Sequence, residues 1–178
     1  MLNKHKRCAV RLELGGRGLV SIDPGARKIG VAVFRPDTRL CRVATVSARH
    51  DSKAVAALLN WLGEVDNLAF VCELPVKYPH KRKFHKDIDR LLAFLRNCPW
   101  SWDAQFKPRE WKSSVGTTHT RGGKLVHHRR LRDALTESEL LVMPALGTEP
   151  DAWDAVGIGL FALGRVTNGG VLCKGTKP

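Results

Sequence analysis

Leu19-Val20-Ser21-Ile22-Asp23-Pro24-Gly25 is the stretch that decides the fold. Its apolar residues have the length of a strand, and the Pro-Gly pair after Asp23 is typical of a turn. Two further apolar runs follow at residues 29–34 and 40–46, with Pro36-Asp37 between them. Together these segments predict a three-stranded antiparallel meander.

The rest of the chain alternates between helical and strand patterns. Residues 68–72 are continuously apolar, which is typical of a strand buried on both faces in the parallel part of a sheet. The predicted helices cover residues 51–61, 87–97, 108–112, 126–140 and 150–165, and a fifth strand covers residues 102–106. This order predicts an α/β fold in which helices flank a mixed five-stranded sheet.

A length of 178 residues fits one domain with a sizeable core. We expect that domain to span residues 19–166. Residues 1–18 are rich in Lys and Arg and end in Gly15-Gly16-Arg17-Gly18, which predicts a basic, partly flexible arm. Residues 167–178 are rich in Gly and predict a flexible tail.

The charge of the chain is high and unevenly placed. The sequence has 30 Lys and Arg against 17 Asp and Glu, a net charge of +13. Residues 77–132 hold 15 Lys and Arg against 4 Asp and Glu, so +11 of that charge lies in under a third of the chain. Such a concentration indicates a polyphosphate partner. The segment has no long basic amphipathic face, which favours nucleic acid over a membrane surface or an acidic protein.

The cysteines and the apolar runs bear on the cellular compartment. Five cysteines are widely spread and form no Cys-x-x-Cys pair, so they suit neither a disulfide framework nor a zinc module. The longest apolar run, residues 155–163, is too short to span a bilayer, and no signal-peptide pattern follows the first basic residues. We expect a soluble, intracellular protein.

Four acidic residues stand where a strand ends or a helix begins. Asp23 and Glu73 each end an apolar strand, while Asp151 and Asp154 lie three residues apart at the start of the last helix, hence on one face. Active sites gather at strand ends along one edge of an α/β sheet, and a buried carboxylate is costly unless it is paired or metal-bound. We therefore expect the four side chains to converge.

Two of the four carboxylates have another explanation. Asp23 alone fits a turn aspartate before Pro-Gly. Asp151 fits a helix cap, because Thr148-Glu149-Pro150-Asp151 matches a capping box with proline inside the first turn. Capping does not explain Asp154, which lies one turn further into the helix.

A convergent set of carboxylates predicts a magnesium site. Mg2+ prefers oxygen ligands, and two such ions can activate water on one side of a phosphodiester and stabilise the leaving oxygen on the other. No zinc-spaced Cys/His cluster, Walker loop or Gly-x-Ser-x-Gly elbow competes for the chemistry. The adjacent pair His127-His128 falls in a basic helix, where we expect a surface or DNA-facing position rather than a metal site.

Three short blocks resemble the catalytic blocks of the RuvC-like Holliday junction resolvases, which belong to the RNase H-like superfamily. They are Ile22-Asp23-Pro24-Gly25, Cys72-Glu73-Leu74-Pro75 and Pro150-Asp151-Ala152-Trp153-Asp154-Ala155. The segment Phe106-Lys107-Pro108-Arg109-Glu110-Trp111-Lys112 is similar to the basic stretch between the second and third blocks, especially in bacteriophage-type members. The resemblance covers about residues 19–165.

The resemblance implies an RNase H-like fold and a homodimer that nicks two strands of a four-way DNA junction symmetrically. The implied cofactor is Mg2+, for which Mn2+ substitutes, with two ions per active site. Asp23 would bridge the ions, Glu73 and Asp154 would each help to hold one, and Asp151 would complete the site or orient the water. The implied location is the cytoplasm of a bacterial or phage-infected cell.

The resemblance also implies which residues contact DNA. Lys112 and Lys124 match basic positions that contact the scissile region, where a cation stabilises developing charge. Relatives place a junction-wedging aromatic residue three positions after the glutamate; here that position is Val76, so Tyr78 either takes the role or anchors its loop. The other predicted DNA contacts are Lys81, Arg82, Lys83, Lys107, Arg109, Arg121, Arg129 and Arg130.

Two other functions fit the same residues. An RNase H-like nuclease for other branched DNA, such as flaps or forks, would use the same metal chemistry. A protein that binds junctions without cleaving them is the third hypothesis, although the carboxylates argue against it. For the dimer, the predicted helix at 87–97, with apolar Ile88, Leu91, Leu92 and Leu95, is either the interface or part of the core.

Overall fold

In the computed structural model, which describes residues 11–47, 51–115 and 123–166, five strands form one mixed sheet. They are β1 (Gly18–Pro24), β2 (Lys28–Phe34), β3 (Leu40–Ser47), β4 (Leu68–Glu73) and β5 (Ala104–Phe106). The strand order is β3-β2-β1-β4-β5. The first three strands are antiparallel, whereas β4 runs parallel to β1 and β5 runs parallel to β4. The predicted mixed sheet is confirmed.

The described part of the chain also contains six α-helices and one 3-10 helix. The α-helices are α1 (Asp51–Leu62), α2 (His85–Asn97), α3 (Pro108–Ser114), α4 (Gly123–Asp133), α5 (Glu137–Leu140) and α6 (Pro150–Ala162). The 3-10 helix Pro79–Phe84 lies in the basic segment after β4. None of these helices is both long enough and apolar enough to cross a lipid bilayer.

Two layers of helices cover the two faces of the sheet. Side chains of α1 and α2 pack with Val20, Ile22 and Phe70 on one face. Side chains of α3, α4 and α6 pack with Leu19 and Val71 on the other. Because successive side chains of a strand point to opposite faces, Asp23 and Glu73 belong to the face covered by α6.

Helix α6 is buried almost all round, as its apolar sequence predicts. A Cβ atom at Gly157 would lie 2.6 Å from the ring of Trp111, and one at Gly159 would lie 2.2 Å from the ring of Phe34. These two glycines therefore permit α6 to pack closely against Trp111 and Phe34. Gly164 has a different role. It lies just after the end of the helix, and its φ of 67° is in the left-handed region that favours glycine.

The predicted helix over residues 126–140 is wrong, because the chain forms two helices there. Helix α4 ends at Asp133, and α5 begins at Glu137 after a new N-cap at Thr136. The backbone N–H of Glu139 donates to Thr136 Oγ1, and the backbone N–H of Thr136 donates back to Glu139 Oε2 at 2.8 Å. This capping box starts a second helix.

The carboxylate of Glu139 joins three elements and is 1% exposed. Arg165, just beyond α6, donates to both its oxygens at 2.6 and 2.8 Å, and the backbone N–H of Leu40 in β3 donates at 2.8 Å. Burial would raise the pKa of Glu139, but the hydrogen bonds from Arg165, Thr136 and Leu40 outweigh it and lower the pKa to about 2. Glu139 is thus ionised and fully paired in the fold.

The described part of the predicted N-terminal arm packs against the domain. The backbone N–H of Leu12 donates to Ala162 O at 2.8 Å, and Leu14 is buried in the core beneath α6. Apolar side chains at 12 and 14 thus extend the core to residues before Leu19. Residues 1–10 of the arm and the predicted tail, 167–178, lie outside the described residues.

Candidate active site

The two strand-end carboxylates lie side by side. Ile22 of β1 pairs with Cys72 of β4 in parallel register, so Asp23 and Glu73 follow at neighbouring strand ends. Asp23 is 7% exposed, and the Glu73 side chain is 14% exposed. Both are held by rigid backbone beneath α6.

The first turn of α6 brings Asp151 and Asp154 to the same place. The helix lies directly on the backbone of β2, since a Cβ atom at Gly30 would fall 1.8 Å from Asp151 O. Asp154 is 5% exposed. A Cβ atom at Gly25, two residues after Asp23, would lie 3.7 Å from Asp151 Cγ, and Lys112 Nζ lies within 3.6 Å of both Glu73 and Asp154, so the structure brings all four carboxylates together.

The capping box predicted over residues 148–151 does not form. Glu149 is the N-cap of α6 with a left-handed φ of 44°, and its side chain makes no capping hydrogen bond. Thr148 Oγ1 donates instead to Ala145 O at 2.7 Å. Glu149 accepts a hydrogen bond from Thr45 of β3 at 2.8 Å. The predicted capping box is therefore absent from this turn.

Helix α3 places an ammonium and an indole against the carboxylates. Lys112 Nζ lies 3.2 Å from Glu73 Oε2 and 3.6 Å from Asp154 Oδ2. Trp111 Nε1 donates to Glu73 Oε2 at 2.7 Å. The helix begins at Pro108, and the carboxylate of Glu110 accepts from the backbone N–H of residue 107, which fixes its first turn.

Burial and repulsion make ionisation of the site costly. Burial is the largest cause that raises the pKa of Asp23 well above its ordinary value, followed by Glu73 and Asp154. Burial also raises the pKa of Glu73, against the opposing effects of Lys112 and Trp111. Burial alone would lower the pKa of Lys112, but the neighbouring carboxylates outweigh it and raise that pKa. The site therefore favours bound positive charge.

The structure corrects the prediction for His127 and His128. Both are buried, at 4% and 2% exposure, rather than at the surface or facing DNA. Their Nε2 atoms lie 3.5 and 3.3 Å from Asp154 Oδ1. The sequence carries a signal for this, because His127, Leu131 and Leu135 recur every four residues and form one buried stripe on the α4–α5 segment.

The predicted DNA contacts occupy different environments. Tyr78 is 39% exposed, whereas Val76 is half-buried. Arg130 donates to Val115 O at 2.7 Å and so joins α4 to the end of α3. Arg121 and the side chain of Lys124 lie outside what the structure describes. The exposed basic members of the predicted set are Lys81, Arg82, Lys83, Lys107, Arg109, Arg129 and Arg130.

One exposed aromatic residue was not predicted. Phe84, at the end of the 3-10 helix, is 45% exposed, and Lys83 Nζ lies 5.1 Å from its ring centroid. Lys81 Nζ lies 5.7 Å from the ring of Tyr78, the residue that caps the start of the same helix. The segment after β4 therefore presents two aromatic rings, each beside a lysine, which is a pattern found in single-strand and base-stacking surfaces.

The donor chemistry of the site fits a divalent cation. Carboxylate oxygens are the ligands that Mg2+ prefers. In the side-chain arrangement of residues 11–47, 51–115 and 123–166, no three Asp, Glu, His or Cys form a ready-made metal cage. The ammonium of Lys112 lies among these carboxylates instead, where it partly offsets their charge.

Comparisons with known proteins show the fold. No protein-family model and no curated protein sequence matches the chain. Its structure is similar to that of T. thermophilus RuvC in complex with Holliday junction substrate, with a TM-score of 0.56 and 17% identity over 82% of this chain and 91% of that chain. A Thermus thermophilus RuvC structure matches with a TM-score of 0.47 and 17% identity over 81% and 92%. The chain has a RuvC-like, RNase H-like α/β fold.

Proposed function

We propose that this chain is a metal-dependent DNA endonuclease that resolves four-way junctions by paired nicks. The observation that carries the proposal is the convergence of Asp23, Glu73, Asp151 and Asp154 at one edge of the sheet, with Lys112 among them. Burying negative charge beside polyanionic DNA is unfavourable for a protein that only binds. The same arrangement is expected of one that binds cations for phosphodiester hydrolysis.

The four carboxylates would hold the metal. Two Mg2+ ions, or Mn2+ in their place, would activate water and stabilise the leaving oxygen. Asp23 would suit a central place among the ligands, because it lies on the middle strand β1 beside Glu73 of β4. Lys112 Nζ lies 3.2 Å from Glu73 Oε2. Because the lysine side chain is flexible, this ammonium can turn towards the scissile phosphate and stabilise the charge that develops there.

The exposed basic residues supply the DNA surface. These basic residues lie on three elements that are near the carboxylates. The elements are the 3-10 helix Pro79–Phe84, the start of α3 and the outer side of α4. Contacts from Lys and Arg to phosphates position DNA without reading its sequence. The exposure of Tyr78 supports it over Val76 as the aromatic residue that meets the junction. Lys124 and Arg121 complete the proposed surface.

Similarity of fold supports the substrate class. The T. thermophilus RuvC structure contains a Holliday junction substrate, and a two-fold symmetric junction suits a two-fold dimer. In this chain Leu95 is buried in the core, whereas Ile88, Leu91 and Leu92 on α2 are half-buried. We propose that these three residues complete their burial against a second copy.

A cleavage assay tests the proposal. Labelled four-way junctions, forks, flaps and linear duplexes are incubated with the protein and Mg2+, and the products are mapped on denaturing gels. Asp23→Asn should abolish cleavage and retain junction binding in EDTA. Asp37→Asn is the matched control, because Asp37 lies exposed in the turn after β2, and it should cut like wild type.

Each outcome bears on a separate part of the proposal. Intact junctions at every enzyme concentration would refute the nuclease. Equal rates on junctions, forks and flaps would leave the nuclease in place and refute junction selectivity. Unchanged cutting by Asp23→Asn would refute the metal site.

A further inference from the structure

Two buried imidazoles contact the proposed site, and the proposed reaction assigns them no task. His127 and His128 are neighbours on α4, and both turn inward towards Asp154. Burying imidazole in a core is unfavourable unless its nitrogens meet a polar partner. His128 Nε2 meets such a partner in Asp154 Oδ1 at hydrogen-bonding distance, and His127 Nε2 lies 3.5 Å from the same oxygen without hydrogen-bonding geometry.

The two oxygens of Asp154 have different surroundings. Oδ1 lies 3.3 Å from His128 Nε2 and 3.5 Å from His127 Nε2. Oδ2 lies 3.6 Å from Lys112 Nζ, on the side of Glu73. Contacts on Oδ1 therefore fix the rotation of the carboxylate and leave Oδ2 directed at the ammonium and the other acidic groups.

Aromatic rings hold both imidazoles in place. The His128 ring stacks on Trp153, with centroids 5.6 Å apart and an interplanar angle of 21°. The His127 ring packs against Trp111 with centroids 5.2 Å apart. Trp111 is also the indole that donates to Glu73. Indole and imidazole rings thus contact two of the four carboxylates: Trp111 donates to Glu73, and both histidines lie against Asp154.

We infer that His127 and His128 are positioning residues that hold Asp154 through Oδ1, so that Oδ2 is presented to a divalent cation. The inference rests on the proposed function for the role of the cation. Partners that hydrogen-bond a metal-binding carboxylate set its orientation, and their loss commonly reduces metal affinity or activity by about 10- to 100-fold. His128 Nε2 hydrogen-bonds with Asp154 Oδ1, whereas His127 Nε2 makes only a longer charge contact at 3.5 Å, so we expect His128 to contribute more than His127.

The test separates hydrogen bonding from packing. His128→Phe keeps a ring against Trp153 and removes the donor, whereas His128→Gln restores an N–H near the position of Nε2. The pair His127→Phe and His127→Gln repeats the design on the second imidazole. Asp133→Asn is the control, because it changes an exposed polar residue at the end of the same helix.

Metal binding is measured directly with Tb3+, whose luminescence is sensitised by nearby indoles such as Trp111 and Trp153. We expect the Phe variants to raise the Tb3+ dissociation constant by about 10-fold or more and to lower kcat for junction cleavage. Junction affinity in EDTA and the melting temperature should change little. The Gln variants should recover most of the Tb3+ affinity, and Asp154→Asn should lose it.

The outcomes distinguish this inference from the proposed function. Wild-type Tb3+ affinity and kcat in both Phe variants would overturn the positioning role and leave the nuclease intact. Folded Gln variants that bind Tb3+ no better than the Phe variants would also overturn it. Histidine-dependent Tb3+ binding by a protein that cuts no DNA would support positioning and refute the nuclease. If one Phe variant does not fold, the variants of the other histidine provide the same test.

Discussion

Glu139 provides the sharpest quantitative test of how the site is supported, because its carboxylate connects α5, β3 and the residue that follows α6. Its pKa is about 2 against an ordinary value of 4.5, and one pKa unit corresponds to about 1.4 kcal/mol. The ionised form therefore contributes about 3 kcal/mol to the free energy of unfolding at pH 7. Glu139→Gln removes the charge and should leave Arg165 without its bidentate partner.

The pH dependence follows from the direction of the shift. A lowered pKa in the folded state means that the stabilisation is complete above the unfolded value, near 4.5, and is lost as the pH falls towards 2. About 1.4 kcal/mol should remain at pH 3. The difference between wild type and Glu139→Gln should therefore shrink from about 3 kcal/mol at pH 7 to about half that at pH 3.

Urea unfolding at the two pH values measures this difference. With a slope of about 2 kcal/mol per M, the midpoint of Glu139→Gln should fall by roughly 1.5 M at pH 7. Glu137→Gln is the matched control, because Glu137 is exposed one half-turn earlier in α5, and its midpoint should stay near that of wild type. A loss below about 1 kcal/mol at pH 7, or an equal loss at both pH values, would refute the reasoning.

Three further predictions concern the site itself. Asp23→Asn should raise the free energy of unfolding at neutral pH by roughly 1 kcal/mol, because the pKa of Asp23 is raised and its ionised form is therefore unfavourable in the fold. A lower free energy of unfolding in urea would contradict this prediction. Lys112→Met should slow junction cleavage by about 10²- to 10³-fold with little change in junction affinity, and a wild-type rate in single-turnover assays would exclude a role for its ammonium. Gly30→Ala should lower the free energy of unfolding by about 2 to 3 kcal/mol and slow cleavage, because the new Cβ would collide with Asp151 O. A variant that melts and cleaves like wild type would show that α6 can shift without loss of stability or activity.

The strands of the sheet could be predicted because the local sequence determines each of them. The apolar runs that became β1 and β4 end at Asp23 and Glu73, and an alternating side-chain direction puts both on one face. The spacing of Asp151 and Asp154 likewise follows from helix geometry. Their convergence could be expected from the order of elements, since strand ends and a helix start meet at one edge of such a sheet.

Other features depend on packing that local sequence does not determine. The break between α4 and α5 carries the signature Thr136-x-x-Glu139, but the continuous helical pattern around it favours one helix. His127 and His128 stand among arginines, and their burial follows from the position of α4 against α6. The position of Lys112 among the acidic groups depends on the turn that starts α3, and no pattern along the chain predicts its distance from Glu73.

The mixed sheet also has a consequence for the order in which the molecule assembles. The meander of β1, β2 and β3 joins neighbours in sequence. Strand β4 pairs with β1 only after β2, β3 and α1 have intervened, and α6 reaches β1 by closing a loop that spans most of the chain. Contacts between distant residues carry the larger chain-closure cost and tend to form later. The acidic residues come from positions 23, 73, 151 and 154, so we expect their mutual repulsion to arise only in the last folding steps. The meander can then form before this repulsion arises, and the energetic cost of the acidic cluster is met when the docking of α6 buries the apolar residues of that helix.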